Sequence, residues 1–260
     1  MKARILSAIL MLPLLLIVYL GGKVLLAGCF VIGVMGVREF FGGFRKIGAN
    51  PSNPIAYGSA VALYLIDLLG AGMYMHWFFG VILASLLYLF RSPAVKAEDA
   101  AITLTGIFYV IFFSYHVALT DHYHISVWLI FISAFGTDMA AYFTGHAIGK
   151  HKLCPEISPK KTVEGAIGGV LGSVILCGIF GYCFIRGLFI HCLIIGAIGS
   201  VAAQTGDLIA SAFKRKMGIK DYGNLIPGHG GVMDRFDSVL LTAPLVYYYM
   251  SIYIIYAVVY

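Results

Sequence analysis

Charge is scarce in this 260-residue chain. Asp, Glu, Lys and Arg make up 12% of it, about half of the roughly 25% found in soluble domains. Cysteine pairing is also missing. The five cysteines, Cys29, Cys154, Cys177, Cys183 and Cys192, form no CxxC pair and are odd in number. That argues against a disulfide frame and against a zinc site. No proline-rich or serine-rich linker divides the chain, and no repeat of fixed period runs through it. These absences exclude a soluble globule, a disordered chain and a disulfide scaffold. What is abundant is apolar surface: 60% of the residues are hydrophobic, and mean hydropathy is +0.92. The composition describes an all-α, polytopic integral membrane protein with a single membrane domain over 1–260. Within it, 1–132 is a mainly apolar half, 133–238 carries the polar chemistry, and 238–260 is the last membrane helix.

A membrane-crossing helix needs about 20 predominantly apolar residues. About nine segments qualify, at 5–20, 23–37, 55–70, 73–90, 101–120, 125–148, 163–185, 188–212 and 238–259. The first two could form one long helix, but the adjacent Gly21 and Gly22 favour a turn between them, and fusing them would reverse the charge side of the N-terminus. The lysines and arginines test the count. With alternating loops assigned to opposite faces, sixteen fall on the side of the N-terminus and only Lys23 and Arg186 on the other. The positive-inside rule then places the N-terminus in the cytoplasm. The net charge of +6 is read as topology, with no nucleic-acid partner. Lys2 and Arg4 before an apolar run, with Leu26-Ala27-Gly28-Cys29 downstream, also resemble a lipoprotein leader. Lys23, which interrupts the apolar stretch just before that point, speaks against it.

Three polar features stand out in the second half. Ser133, Thr137 and Asp138 lie inside an apolar segment. A carboxylate there costs roughly 2.5–3.5 kcal/mol on insertion scales and marks a functional site by default. Asp67 is also intramembrane; a structural pair and a functional role are both open for it. The second feature is the basic loop from Gly149 to Gly165. It holds Pro155, Pro159, Lys150, Lys152, Lys160 and Lys161, and reads as irregular. Its lysines suit an anionic substrate or anionic headgroups. Thr162 is placed to cap the helix that follows, and Gly165, Gly168, Gly169 and Gly172 give that helix a close-packing face.

The third feature is the most specific. Ser200, Gln204, Asp207, Ser211 and Lys214 recur at steps of four and three residues, so they share one helix face. A polar stripe on an apolar helix faces a cavity or another helix, not lipid. It runs into Arg215, Lys216, Lys220 and Asp221, then a glycine-rich turn with Gly228, His229, Gly230 and Gly231, then Asp234, Arg235 and Asp237. Asp234 and Asp237, three apart, share a face at a helix start, where anions are favoured. Asp207, Asp234 and Asp237 can supply hard oxygen ligands to a divalent cation. Lys214, Arg215, Lys220 and Arg235 can neutralise several phosphate charges, although Lys214–Lys216 alone also fit a positive-inside stop. The combination suggests metal-assisted chemistry on a polyphosphate. His229 fits a phosphate donor or loop packing.

This run resembles the signature of the phosphatidate cytidylyltransferases, also called CDP-diacylglycerol synthases. That signature reads S-x-x-K-R, then K-D, then P-G-H-G-G, then D-R-x-D. Here Ser211, Lys214, Arg215, Lys220, Asp221, Pro227 to Gly231, Asp234, Arg235 and Asp237 occupy those positions. An upstream block from Thr137-Asp138 to Glu164-Gly165 is similar to a second family block. Together the two cover about 136–238; the first half resembles the family only in being apolar and multi-spanning.

The resemblance implies a membrane nucleotidyltransferase that condenses CTP with phosphatidic acid, releasing CDP-diacylglycerol and pyrophosphate. It also implies a homodimer among membrane lipids, and Mg²⁺, with K⁺ as a second cation. It places the metal on Asp207 and Asp234. Asp207, Asp234, Asp237 and Lys214 are the expected catalytic set. Asp138, Lys160, Lys161, Ser211, Arg215, Lys220, Asp221, His229 and Arg235 are expected to bind substrate. A bacterial inner membrane with the site facing the cytoplasm is the expected location. The alternatives are a related lipid-phosphate cytidylyltransferase, a polyprenol or phytol kinase and, in a different class, a transporter or a non-catalytic scaffold.

Overall fold

The computed structural model describes residues 13–223 and 230–259. Helix dominates. A first helical segment, α1, covers 13–20. It is followed by α2 (Gly22–Arg45), α3 (Asn53–Leu68), α4 (Tyr74–Leu87), α5 (Ala97–Gly106) and α6 (Phe113–Thr120). Then come α7 (Val127–Ile148), α8 (Val163–Phe184), α9 (Phe189–Lys216) and α10 (Met233–Val259). Among the described residues, five helical runs are long and apolar enough to cross a membrane: Gly22–Arg45, Ala97–Tyr123, Val127–Ile148, Val163–Phe184 and Arg186–Lys216. The protein is an all-α integral membrane protein with one small hairpin.

The expected break between the first two segments is present. Gly21 and Gly22 both adopt positive φ, 60° and 51°, a conformation glycine enters at little cost. The expected span 5–20 lies partly in 1–12, outside the described residues. The end expected at 37 is corrected: α2 runs on to Arg45. Arg38 is charged but helix-compatible, and the Gly42-Gly43 pair, which weakens a helix by propensity, stays helical with Gly43 packed against Met217 and Ile219. The loop 149–165 is also corrected. It holds an antiparallel hairpin, β1 (Lys152–Cys154) with β2 (Ser158–Thr162), paired at Lys152–Thr162 and Cys154–Ser158 with a register shift between. In a two-stranded ladder each strand keeps an open edge, so Pro159 loses nothing by lacking an N–H.

The chain gathers into two compact units, one of Met1–Ala118 with Lys216–Arg235, the other of Leu119–Arg215 with Phe236–Tyr260. In the first, α2 is central, with Val37, Phe40 and Phe41 fully buried. A π-helical turn over Ile107–Phe112 sets Ile111 and Val110 against Gly33 and Gly36 of α2. Asp99 accepts from the amides of Lys96 and Asn50, at 2.8 and 2.5 Å, and so ties the start of α5 to the loop before α3. Asp67 receives hydrogen bonds from the Tyr115 hydroxyl (2.5 Å) and the Tyr74 hydroxyl (3.2 Å). That answers its solvation inside an apolar helix.

In the second unit, α7 and α8 meet through the expected small-residue face. Gly168 lies against Thr144, Gly169 against Thr137 and Ala141, and Gly172 against Ala140. Helices approach closely where side chains are absent, and dispersion contacts then hold them without help from water. The Thr162 hydroxyl caps α8 as expected, accepting from the Gly165 amide at 3.1 Å. The outward ridge of α8 is Ile167, Leu171, Ile175 and Ile179, each more than half exposed, as hydrocarbon surroundings permit.

Candidate active site

The site is built on α9. Along its polar face the Gln204 amide donates to the Ser200 hydroxyl at 3.3 Å and to the Ala166 carbonyl of α8 at 3.2 Å. One turn on, the Ser211 hydroxyl donates to Asp207 Oδ1 at 3.4 Å. Lys214 Nζ stands 4.0 Å from Asp237 Oδ2, and both residues are only 9% exposed. Within the stripe Ser200 pairs with Gln204 and Asp207 with Ser211, while Lys214 turns to Asp237.

Glycine sets how near α10 comes to this surface. A Cβ on Gly206 would lie 2.6 Å from the Asp237 carbonyl oxygen. Only glycine at 206 lets the backbone carrying Asp237 approach the backbone carrying Asp207. Farther along the same contact, Thr242 Oγ1 donates to the Ser238 carbonyl at 2.8 Å and to the Gly199 carbonyl at 3.4 Å. Ser238 Oγ donates to Asp138 Oδ2 of α7 at 3.4 Å. Asp237 thus lies within electrostatic reach of Asp207, Lys214 and Asp138 together.

The hairpin adds the cations. Lys161 of β2 forms an ion pair with Asp207. A cavity of about 450 Å³ opens here, lined by Asp138, Tyr142, Lys160, Lys161, Gln204 and Asp207 among others. Glu164 holds the hairpin base, accepting from the amides of Lys150 (3.0 Å) and His151 (3.2 Å) and pairing with the His151 ring. Arg215 Nε donates to the Ile157 carbonyl at 3.2 Å, which moors the hairpin turn to α9.

The first unit holds the rest of the signature. Asp234 Oδ2 accepts from the Tyr222 amide (2.8 Å) and the Gly231 amide (3.0 Å). Lys220 and Asp221 are exposed, and Arg235 is half-buried. His229 lies outside the described residues. The structure therefore brings together Asp138, Lys160, Lys161, Asp207, Ser211, Lys214, Arg215 and Asp237 in the second unit. Asp234, Arg235, Lys220 and Asp221 belong to the first.

Sequence reasoning missed Glu39 of α2, which accepts from two amides at the start of α10. Its signal was a carboxylate within an apolar stretch, hidden by ending the span at 37. It also missed Tyr142 and His146, whose rings stack in parallel at 6.2 Å beside the cavity.

Among the described residues, no group of three or more His, Cys, Asp or Glu is disposed around one metal ion. Mg²⁺ does not require such a group. It is commonly held by one or two carboxylates, with water and substrate phosphates completing the shell. Carboxylate oxygens next to lysines that can receive phosphate fit that ion. They do not fit a soft metal, which favours thiolates; all five cysteines are free.

Comparison with known proteins agrees with this chemistry. The model of the cytidylyltransferase family matches residues 2–253. A phosphatidate cytidylyltransferase of Staphylococcus haemolyticus is 36% identical over 260 residues, covering 94% of this chain and 97% of its own. One from Staphylococcus aureus is 35% identical with the same coverage. One from Bacillus subtilis is 39% identical over 160 residues, 60% of each chain. On this match, which extends over nearly the whole sequence, the chain belongs to the cytidylyltransferase family.

Proposed function

We propose that the protein condenses CTP with phosphatidic acid, giving CDP-diacylglycerol and pyrophosphate. It is a nucleotidyltransferase of phospholipid biosynthesis. The observation that carries the reading is the cavity in which Lys160, Lys161, Asp207 and Asp138 converge, on helices apolar enough to sit in a bilayer. A phosphate oxygen of phosphatidic acid attacks the α-phosphorus of CTP. A new P–O–P bond forms, the bond from the α-phosphorus to the β-bridging oxygen breaks, and pyrophosphate leaves. The attacking oxygen is already anionic, so no strong base is required; positioning and charge neutralisation carry the rate.

Lys160 and Lys161 are placed to receive phosphate oxygens. Lys214 holds Asp237 in a buried, fixed position. Ser211 orients Asp207. On the family resemblance Asp207 and Asp234 would hold Mg²⁺, which neutralises phosphate charge when bound, with K⁺ as a second cation. Arg215, Lys220, Asp221, His229 and Arg235 complete the substrate-binding set. The resemblance also carries a homodimer. The lysine and arginine distribution supports a cytoplasmic N-terminus and a site on the cytoplasmic side. The bacterial relatives support an inner-membrane location.

CTP labelled separately at the α- and γ-phosphorus tests the reading. The α-label is expected in the lipid and the γ-label in released pyrophosphate. Transfer of the γ-label to a lipid would instead mean a kinase. Gly206→Ala is a second test. Its methyl group would press on the Asp237 carbonyl, and backbone yields poorly. Displacing α10 by an ångström is expected to lower turnover about 10²-fold, read as the rate of pyrophosphate release. Wild-type rates in Gly206→Ala would mean that the approach of α9 and α10 does not set the geometry of the site.

A further inference from the structure

We infer that Glu39, in α2, is a positioning residue for this reaction: it fixes the first turn of α10 and, through it, the Asp234 carboxylate. The inference rests on the reading of Asp234 as a metal-binding carboxylate.

Glu39 lies in a helix apolar enough to cross the bilayer, where a carboxylate costs a few kcal/mol unless something answers it. What answers it is the start of α10. The first amides of a helix have no partner within the helix and are normally met by a nearby side chain. Here they are met from almost two hundred residues away. Val232 N–H donates to Glu39 Oε1 at 3.0 Å, and Met233 N–H donates to Oε2 at 2.9 Å. With one amide on each oxygen, the carboxylate cannot turn without losing a bond. The helix dipole adds to the attraction.

Asp234 continues the same arrangement. The Gly231 amide donates to Asp234, and the next two amides, of Val232 and Met233, donate to Glu39. Three consecutive backbone N–H groups are thus held by two carboxylates. Asp234 also takes the Tyr222 amide, which closes the other end of the segment onto the same turn.

The glycines give independent support. A Cβ on Gly223 would lie 2.6 Å from Glu39 Oε1, and one on Gly231 would collide with the same carboxylate. Both glycines bracket the 224–229 stretch, and both are glycine where the Glu39 carboxylate fills the space a side chain would need. The rest of this α2 face follows the segment too. Gly36 meets Met233, Gly43 meets Met217 and Ile219, and Phe40 meets Tyr222 at 6.2 Å between ring centroids. Positions 36, 39, 40 and 43 are one helical stripe that meets the signature segment, sharing Gly36 with Val110 and Phe40 with Tyr109 of the π-helical turn.

The test compares wild type, Glu39→Gln and Asp234→Asn as full-length protein in detergent. Mn²⁺ binding is followed by electron paramagnetic resonance in the presence of an α,β-methylene analogue of CTP. Pyrophosphate release is measured against Mg²⁺ concentration, and thermal unfolding is measured in chelator. Gln keeps the size of Glu and one acceptor but cannot accept both amides. Glu39→Gln is expected to weaken Mn²⁺ binding about 10–100-fold, as loss of a residue supporting a metal ligand does. The half-saturating Mg²⁺ concentration is expected to rise by a similar factor, with the unfolding temperature lowered by only a few degrees for the one amide left without an acceptor.

Wild-type Mn²⁺ affinity in folded Glu39→Gln, with Asp234→Asn impaired, would overturn the inference alone. Wild-type affinity in Asp234→Asn, or no Mn²⁺ binding by the wild type, would overturn the metal reading beneath it. If Glu39→Gln does not fold, Glu39→Asp, too short to span both amides, is read by the same criteria. Failure of both variants to fold would also overturn the inference, since Glu39 would then serve the fold and not the site.

Discussion

Asp207→Asn is expected to lower turnover roughly 10³-fold, the scale seen when one preorganised electrostatic group is removed from an active site, while the protein stays folded. Asn matches Asp in shape, and the Ser211 hydroxyl that donates to Oδ1 at 3.4 Å can go on donating to an amide oxygen. What disappears is the negative charge facing Lys161. That ion pair is partly exposed, so its loss removes little stability. The freed Lys161 offsets part of the metal-mediated contact with phosphate that Asp207→Asn loses, so at saturating Mg²⁺ the change in CTP affinity is expected to be small. The defect therefore belongs in kcat and not in KM. Steady-state kinetics at saturating Mg²⁺, with a melting curve as control, checks it. Normal kcat in Asp207→Asn would remove Asp207 from the catalytic set.

Lys214→Met should damage stability and activity together. Lys214 and Asp237 are each 9% exposed, and Asp237 also lies within reach of the Asp207 and Asp138 carboxylates. Methionine keeps most of the lysine stem and removes the ammonium. Taking one member from a buried pair costs about 3–5 kcal/mol, because the remaining charge stays desolvated. For a chain of this size that is a drop of roughly 10 °C in the unfolding midpoint. Adding Asp237→Asn should restore most of the lost stability and none of the activity. Such a double-mutant cycle separates the pair's structural weight from its catalytic one. A Lys214→Met protein as stable as wild type would mean that the pair is solvated and is no fixed element of the site.

How far the sequence was legible follows from the range of each interaction. The stripe on α9 could be read because its members are three and four residues apart, and helix geometry alone joins them. The Gly21-Gly22 turn, the Thr162 cap and the glycine face of α8 were legible for the same reason: each is decided within a few residues. Glu39 was not. Its partners lie at Val232 and Met233, and local periodicity carries no information about them. Arg38 beside it also reads as the end of a span, although the helix continues. The hairpin at 152–162 was hidden by its prolines and lysines, which signal irregular loop unless the strand edges are known to be open. Asp67 was left undecided because its two tyrosines come from other elements. The return of Lys216–Arg235 to the unit formed by the first half of the chain is a long-range event of the same kind.

Pyrophosphate release from detergent-purified protein given CTP, phosphatidic acid and Mg²⁺, with each omitted in turn, tests the condensation itself. Release is expected only when all three are present, with CDP-diacylglycerol formed in equal amount. Folded protein that releases no pyrophosphate from the complete mixture, or releases it without phosphatidic acid, would contradict the condensation.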